Sequence, residues 1–184
     1  MHRVLLRFEN LQEVVGGEEL AVIMLTDEPR QRALSVVCDA EMTRQLLLRR
    51  RDSRDVCKTM LPEVLLQMLP TPYDELASAY ELLIVGLYDA QYQVLLMDVG
   101  SGASQRIRLS DAVLLTMISG IPLYIEERLM EQQSAPFDEQ SRGVAIPINT
   151  LETDRLRVAL QNAVEEENYE LASHLRDEIK RRKQ

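Results

Sequence analysis

The sequence predicts an α+β fold: a strand-rich mixed or antiparallel sheet with two or three packed helices, followed by a C-terminal helical hairpin. Short β-favouring runs separated by turn signals dominate residues 1–130. Residues 151–184 instead contain neither glycine nor proline and consist largely of helix formers. The strands do not alternate regularly with helices, which argues against a repeating βαβ fold.

The first 37 residues are predicted to form a β-meander, which is the simplest arrangement of consecutive strands. Turn signals lie at Gly16-Gly17 and at Asp27-Glu28-Pro29-Arg30. The β-favouring runs between and around these turns cover residues 4–8, 11–15, 20–25 and 33–37.

Two helices are predicted after the meander. Asp39 stands where a helix N-cap belongs, and the helix after it is expected to end in the basic run Arg49-Arg50-Arg51, whose charges suit the helix dipole. The second helix is expected to begin at Pro62 and to stop before Pro70, because proline favours the first helical turn and breaks a helix interior.

The second half of the main domain repeats the pattern of strands followed by a helix. Ser110 is predicted to cap a helix that runs to Ser119, with Gly120 as its C-terminal cap. The strands predicted around this helix cover residues 81–88, 92–99, 105–109 and 123–126.

A domain boundary is predicted in residues 131–150, where periodicity is lost and Pro136, Gly143 and Pro147 occur. The predicted organisation is a main domain over 1–130, a linker, and a hairpin over 151–184. The apolar residues of the hairpin are expected to pack on the main domain, on a second subunit or on a partner protein. They are Leu156, Leu160, Ala163 and Val164 on the first helix and Tyr169, Ala172, Leu175 and Ile179 on the second.

Composition excludes several functional classes. The chain has 30 acidic and 21 basic residues, a net charge of −9, so any contact with nucleic acid must be local. Two histidines and two cysteines without a CxxC spacing argue against a zinc site and against a Cys-His nucleophile. No run of about 18 apolar residues and no signal-peptide core is found, so we expect a cytoplasmic protein without membrane contact.

The tail resembles a known motif. Its acidic turn, then Tyr169-Glu170, Ala172 and Leu175-Arg-Asp-Glu-Ile179 are similar to the UVR motif, the helical hairpin shared by UvrB and UvrC of nucleotide excision repair. This resemblance implies a protein partner bound through the hairpin, and Leu160, Tyr169, Ala172, Leu175 and Ile179 are the expected binding residues.

The main domain resembles the bifunctional nuclease (BFN) domain family. The similarity is clearest at Arg108-Leu-Ser110-Asp111-Ala112, which an apolar helix and then Gly120-Ile-Pro122-Leu-Tyr124 follow. Ala40-Glu41 lies where the family often has Glu-Ala. The family's His-Asp pair near the second helix is replaced here by Met60-Leu61. The resemblance implies a nuclease that acts on DNA or RNA with Mg²⁺ or Mn²⁺, and the substitution puts catalysis in doubt.

The candidate catalytic residues are Asp111, Ser110 and Glu41, because a nuclease needs carboxylates as general base or metal ligands. Ordinary helix-starting chemistry is the favoured explanation of Ser110 and Asp111, and a solvated helix position is the favoured explanation of Glu41. The candidate phosphate-binding residues are Arg108, Arg49, Arg50 and Arg51, although basic runs also simply end helices.

Two functions from different classes therefore remain open. The leading hypothesis is a nuclease with a UVR-type interaction tail. The alternative is a non-catalytic adaptor or regulatory protein that uses the BFN fold as a binding platform. In either case the open edges of a strand-rich domain predict a homo-oligomer.

Overall fold

The computed structural model describes residues 2–13, 21–50, 57–88, 91–137, 153–165 and 168–181. The strands in chain order are β1 (Arg3–Glu13), β2 (Ala21–Asp27), β3 (Arg32–Cys38), β4 (Tyr80–Tyr88), β5 (Gln91–Asp98), β6 (Ser104–Ile107), β7 (Leu123–Glu126) and β8 (Ala135–Pro136). The helices are α1 (Ala40–Arg50), α2 (Leu61–Gln67), α3 (Leu76–Ala79), α4 (Leu109–Ser119), α5 (Glu127–Gln133), α6 (Thr153–Glu165) and α7 (Tyr169–Arg181), with a 3-10 turn at Tyr73–Glu75.

The described strands form a single mixed sheet in the order β6-β5-β4-β7-β1-β2-β3-β8. The pair β4 and β7 is parallel, and every other pair is antiparallel. The predicted α+β class is therefore confirmed, and so is the opening meander, which comprises β1, β2 and β3.

One detail of the meander is wrong. The sequence predicts separate strands over 4–8 and 11–15, but β1 runs without a break from Arg3 to Glu13. Its register with β2 shifts between Phe8 and Asn10, which is a β-bulge. The extra residue interrupts the alternation of inward and outward side chains along the strand. In the sequence, such an interruption looks the same as a turn between two strands. The predicted turn at Gly16-Gly17 lies outside the described residues.

The hydrophobic core lies between one face of the sheet and the helices. Helix α4 packs on β5 and β7, and both α1 and α2 pack on α4. Alternate residues of each strand point into this core, as period-2 side-chain geometry requires. On β2 and β3 they are Ala21, Ile23, Leu25, Leu34, Val36 and Cys38.

Asp27 holds the turn between β2 and β3. Its buried carboxylate accepts hydrogen bonds from the backbone amides of Gln31 (2.7 Å) and Arg32 (3.0 Å) and from the Arg32 guanidinium (3.2 Å). Burial by itself raises the pKa of Asp27, but these hydrogen bonds and the Arg32 charge together hold the pKa below its ordinary value. The turn predicted at this place is confirmed.

The start of the predicted linker belongs to the main sheet. Helix α5 continues to Gln133, and β8 pairs with the outer edge of β3. The amide of Phe137 donates to the carbonyl of Gln31 (2.8 Å), and the Arg30 guanidinium lies 5.2 Å from the centre of the Phe137 ring. Pro136 is tolerated because an edge strand does not need every amide as a donor. The rest of the predicted linker, residues 138–150, lies outside the described part.

The C-terminal helices α6 and α7 form the predicted hairpin. They bury a small hydrophobic cluster of their own, distinct from that of the sheet, with Ala159 and Leu160 packed against it. Its buried members are Leu156, Ala163, Ala172, Leu175 and Ile179. The inclusion of Val164 in this apolar face was wrong: Val164 is exposed, because it lies one helical position beyond Ala163.

Candidate functional site

The start of α1 is a capped helix N-terminus, as the sequence predicts. The Asp39 carboxylate accepts a hydrogen bond from the backbone amide of Met42 (2.8 Å). The Asp39 carbonyl accepts from the amide of Thr43 (2.9 Å) and from the Thr43 hydroxyl (2.7 Å). Asp39 therefore satisfies amides that would otherwise lack a partner at the helix end.

The start of α4 differs from the prediction. Ser110 is not the N-cap: the helix begins one residue earlier, at Leu109, and the extended residue Arg108 precedes it. The buried side chain of Leu109 draws the first turn onto the core, so β6 passes almost directly into the helix. In the part of the chain that the structure describes, no side chain caps this end. At the other end Gly120 adopts the left-handed conformation (φ 74°), as predicted.

Arg108 forms a two-pronged ion pair with Asp111. Its Nε donates to Asp111 Oδ2 (2.7 Å), and its Nη2 donates to Oδ1 (3.0 Å). These hydrogen bonds and the Asp111 charge raise the pKa of Arg108, and the charge of Asp39 raises it further. The charge of Asp39, just before α1, thus acts on Arg108, just before α4, and the two helices pack on each other.

Glu41 occupies the first turn of α1 and is exposed to solvent. One carboxylate oxygen accepts from the Arg44 guanidinium, and the other accepts from the Gln45 amide (2.9 Å). The three predicted catalytic residues are therefore on two helix starts, Glu41 on α1 and Ser110 with Asp111 on α4. Both carboxylates already accept hydrogen bonds on each oxygen, as in ordinary surface ion pairs.

The Glu41 and Asp111 carboxylates lie in separate surface ion pairs on different helices. Mg²⁺ and Mn²⁺ bind through several oxygen ligands held close together. Within the described ranges, no group of three His, Cys, Asp or Glu side chains is arranged to hold a metal ion. We therefore derive no catalytic step through a metal, and the cation stays a prediction.

The predicted basic patch is not a single exposed surface. The side chain of Arg49 is only 6% exposed, and its guanidinium donates to both carboxylate oxygens of Glu63 on α2, each at 2.8 Å. It also donates to the backbone carbonyl and side-chain oxygen of Gln45 (2.9 and 2.7 Å). Arg50 is exposed, and Arg51 lies outside the described residues. The sequence analysis missed Glu63, although a lone carboxylate in the apolar segment LPEVLLQ is a signal for such a pair.

Neither cysteine is a candidate nucleophile. Cys38 and Cys57 are both buried and carry free thiols. Burial raises the pKa of the Cys38 thiol, and the nearby charge of Asp39 acts in the same direction. A thiol with a raised pKa is a poor nucleophile.

In the hairpin, four of the five predicted partner-binding residues face inward. Ala172, Leu175 and Ile179 are buried between α6 and α7, and Leu160 packs against them, because each helix covers the apolar stripe of the other. Tyr169 differs: it is 69% exposed and is the first residue of α7. Val164 is exposed in the last turn of α6. The end of α6 and the start of α7 therefore each present an apolar side chain to solvent.

The comparison with protein families identifies the tail. A family model described as the UvrB/uvrC motif matches residues 151–184, which include the described helices α6 and α7. The tail is therefore a UVR motif, as its sequence predicted. No curated protein matches the chain. The resemblance of the main domain to the BFN family stays a prediction.

No helix in the described ranges is long and apolar enough to cross a membrane.

Proposed function

We propose that this protein is an adaptor that binds a protein partner through its C-terminal UVR hairpin, with the α+β main domain as a folded platform. The observation that carries this proposal is the hairpin itself, which matches the UvrB/uvrC motif, encloses its own small core and exposes Val164 near the end of α6 and Tyr169 at the start of α7. An exposed tyrosine is a typical interface anchor.

The main domain supports a binding role more than a catalytic one. Asp111 and Glu41 both accept hydrogen bonds on each carboxylate oxygen, and Arg49 is held by Glu63 inside the domain. A general base must be directed at the proton that it removes, and both carboxylates are directed at their ion-pair partners instead. We further propose a cytoplasmic protein, in which the two buried thiols remain reduced.

Affinity capture with the full chain tests the adaptor proposal. We expect the wild type to retain a specific protein that Tyr169→Ser loses, because the substitution removes an exposed apolar anchor. Leu175→Asp should lose it too, because an unpaired carboxylate in the hairpin core unfolds the hairpin. Tyr88→Ser is the matched control, since Tyr88 is an exposed tyrosine of the main domain. A retained protein supports the proposal only if, in purified form, it binds the wild type and Tyr88→Ser but not Tyr169→Ser or Leu175→Asp. Capture that is unchanged by the two hairpin variants would refute the proposal.

A nuclease acting on DNA or RNA is the second candidate function. The packing of α1 on α4 supports it, because Glu41 is in the first turn of α1 and Ser110 and Asp111 are in the first turn of α4. Labelled single- and double-stranded DNA and RNA should be incubated with the full chain, with and without Mg²⁺ or Mn²⁺. Cleavage that Asp111→Asn abolishes would establish this function, whereas cleavage equal in wild type and variant would exclude Asp111 as catalytic.

We also propose that the main domain self-associates. In the described sheet, β6 pairs with β5 on one side and has no strand on the other, and Ser104, Gln105 and Arg106 are exposed. Open edges of this kind pair readily with other strands. Light scattering on the full chain should give a mass above 21.1 kDa, and a monomer at micromolar concentration would contradict the proposal.

A further inference from the structure

We propose that helix α2 is a second docking surface, which binds a cationic amphipathic helix of a partner protein. This surface lies in the main domain and is independent of the UVR hairpin.

Helix α2 is buried on one side and exposes apolar side chains on the opposite side. Glu63 and Leu66 are buried on its inner side. At about 100° per residue, Leu61, Leu65 and Met68 share the opposite side of the helix. These three side chains are 69%, 54% and 77% exposed. A helix with apolar residues on both sides is normally covered on both.

Two further apolar residues are exposed in the segment that follows α2. Leu69 and Tyr73 are exposed as well, and the Tyr73 hydroxyl donates to the carbonyl of Ile118 on α4, the helix on which α2 packs (2.5 Å). We call Leu61, Leu65, Met68, Leu69 and Tyr73 the α2 patch. Of the ten large apolar side chains exposed in the described residues, these are five, so the exposure is concentrated rather than scattered. Concentrated apolar surface marks interaction sites.

The α2 patch is formed before any partner binds. The Arg49 guanidinium holds Glu63 through two 2.8 Å hydrogen bonds, and Pro62 fixes the first turn. Leu66 fastens the same helix to the core. Residues at positions i, i+4 and i+7 on a fixed helix form the ridge that packs into the groove of another helix. The geometry therefore favours a helical occupant.

Charge selects the kind of helix. Residues 59–79 contain no lysine or arginine. The exposed Lys58 precedes the α2 patch by three residues, and the exposed Asp74 and Glu75 follow Tyr73, so acidic charge is in excess around the patch. Cationic residues beside the apolar face of a partner helix would be attracted to these carboxylates. A second copy of this chain would instead bring the same two carboxylates and its own net charge of −9. The complementary occupant is a cationic helix of another protein.

Fluorescence anisotropy with designed peptides tests this proposal on the full chain. The probe is a labelled 18-residue amphipathic Leu/Lys helix. One comparison peptide has Glu in place of Lys, and the other keeps the lysines but has Ser in place of Leu. We expect the Leu/Lys peptide to bind at least tenfold more tightly than either, and added salt to weaken its binding.

Variants of the chain locate the binding. Leu65→Gln combined with Met68→Gln should weaken binding of the Leu/Lys peptide at least tenfold, with the melting temperature unchanged because both side chains are exposed. Val99→Gln is the matched control, since Val99 is another exposed apolar residue of the main domain, and it should bind as the wild type does. Tyr169→Ser should also bind normally, which separates this surface from the hairpin.

Several results would overturn the proposal. No binding, or equal binding by the double variant and the wild type, would show that the α2 patch is not the site. Equal binding of the Glu and Lys peptides would refute charge selection. Self-association that the double variant abolishes, measured by sedimentation, would identify a second copy as the occupant instead.

Discussion

Arg49 and Arg108 make the same contact in two different environments. Each guanidinium donates from Nε and Nη2 to the two oxygens of one carboxylate, Glu63 for Arg49 and Asp111 for Arg108. The side chains of the first pair are 6% and 11% exposed, and those of the second are 69% and 30% exposed. The sequence analysis assigned both arginines to phosphate binding. Burial makes the first pair a structural link between α1 and α2, and exposure leaves the second pair free to exchange its partner for another anion.

The two pairs belong to two halves of similar design. Each half is a three-stranded antiparallel meander followed by an eleven-residue helix, β1-β2-β3 with α1 and β4-β5-β6 with α4. In the first half the outer strand β3 is covered by β8 and its residues are mostly buried. In the second half β6 is an exposed edge. We therefore expect substitutions in the first half to lower stability more than matched substitutions in the second.

The largest expected effect is that of Arg49→Ala. It leaves the Glu63 carboxylate buried without its partner, which should lower the free energy of unfolding by about 3–5 kcal/mol. Urea unfolding at pH 7 measures this loss, with Arg44→Ala, at an exposed ion pair with Glu41, as control. A loss as small as that of the control would contradict the claim that the buried pair stabilises the fold more than the exposed pairs do.

Asp27→Asn should come next, at about 2 kcal/mol at pH 7, because charged hydrogen bonds in the buried turn are lost. The pKa of Asp27 is lowered in the folded protein. Its contribution is therefore fully present above the unfolded value of about 3.9 and is lost as the pH falls through the folded pKa. Unfolding measured between pH 7 and pH 3 should show a smaller acid-induced loss in the variant than in the wild type. Parallel pH profiles would contradict this role.

Smaller losses of unfolding free energy are expected at the starts of α1 and α4, and they should differ because, of these two described helix starts, only α1 has a side-chain cap. Asp39→Ala should cost about 1 kcal/mol, because it removes the hydrogen bond to the Met42 amide. Ser110→Ala should cost less than about 0.5 kcal/mol, because Ser110 is not the N-cap of α4. Thermal unfolding of both variants makes the comparison, and equal losses would mean that the two starts are capped alike.

The effect of Asp111→Asn should also be small, at about 0.5 kcal/mol. Exposed ion pairs contribute little, since water solvates both partners after the pair is broken. Urea unfolding should therefore detect almost no change, which makes this variant a clean probe of the nuclease hypothesis. A loss above about 2 kcal/mol would place the Arg108–Asp111 pair in the same class as Arg49–Glu63.

Local features of the fold could be predicted from the sequence. The cap at Asp39, the glycine at the end of α4 and the turn at Asp27 depend on residues within a few positions of one another. The hairpin was predicted for the same reason, because the spacing of its apolar residues repeats with the helical period.

Contacts between distant elements could not be predicted in this way. Glu63 is fourteen residues from Arg49 and on another helix, so the basic run gave no sign of their pairing. The pairing of β8 with β3 joins residues about a hundred positions apart, and residues 131–136 were therefore assigned to a linker. The exposure of Tyr169 depends on how α7 is rotated against α6, which the apolar period alone does not determine.

Because Phe137 is anchored to the edge of β3, the length of the chain sets a maximum distance between this edge and the start of α6. Thr153, the first residue of α6, follows Phe137 by sixteen residues, and a fully extended chain of that length reaches at most about 55 Å. A partner held by the hairpin is therefore confined to a small volume around this edge. Confinement of this kind corresponds to an effective concentration on the order of millimolar. A contact between that partner and the main domain with a dissociation constant of about 0.1 mM, too weak to form between separate molecules at micromolar concentration, would then be populated most of the time.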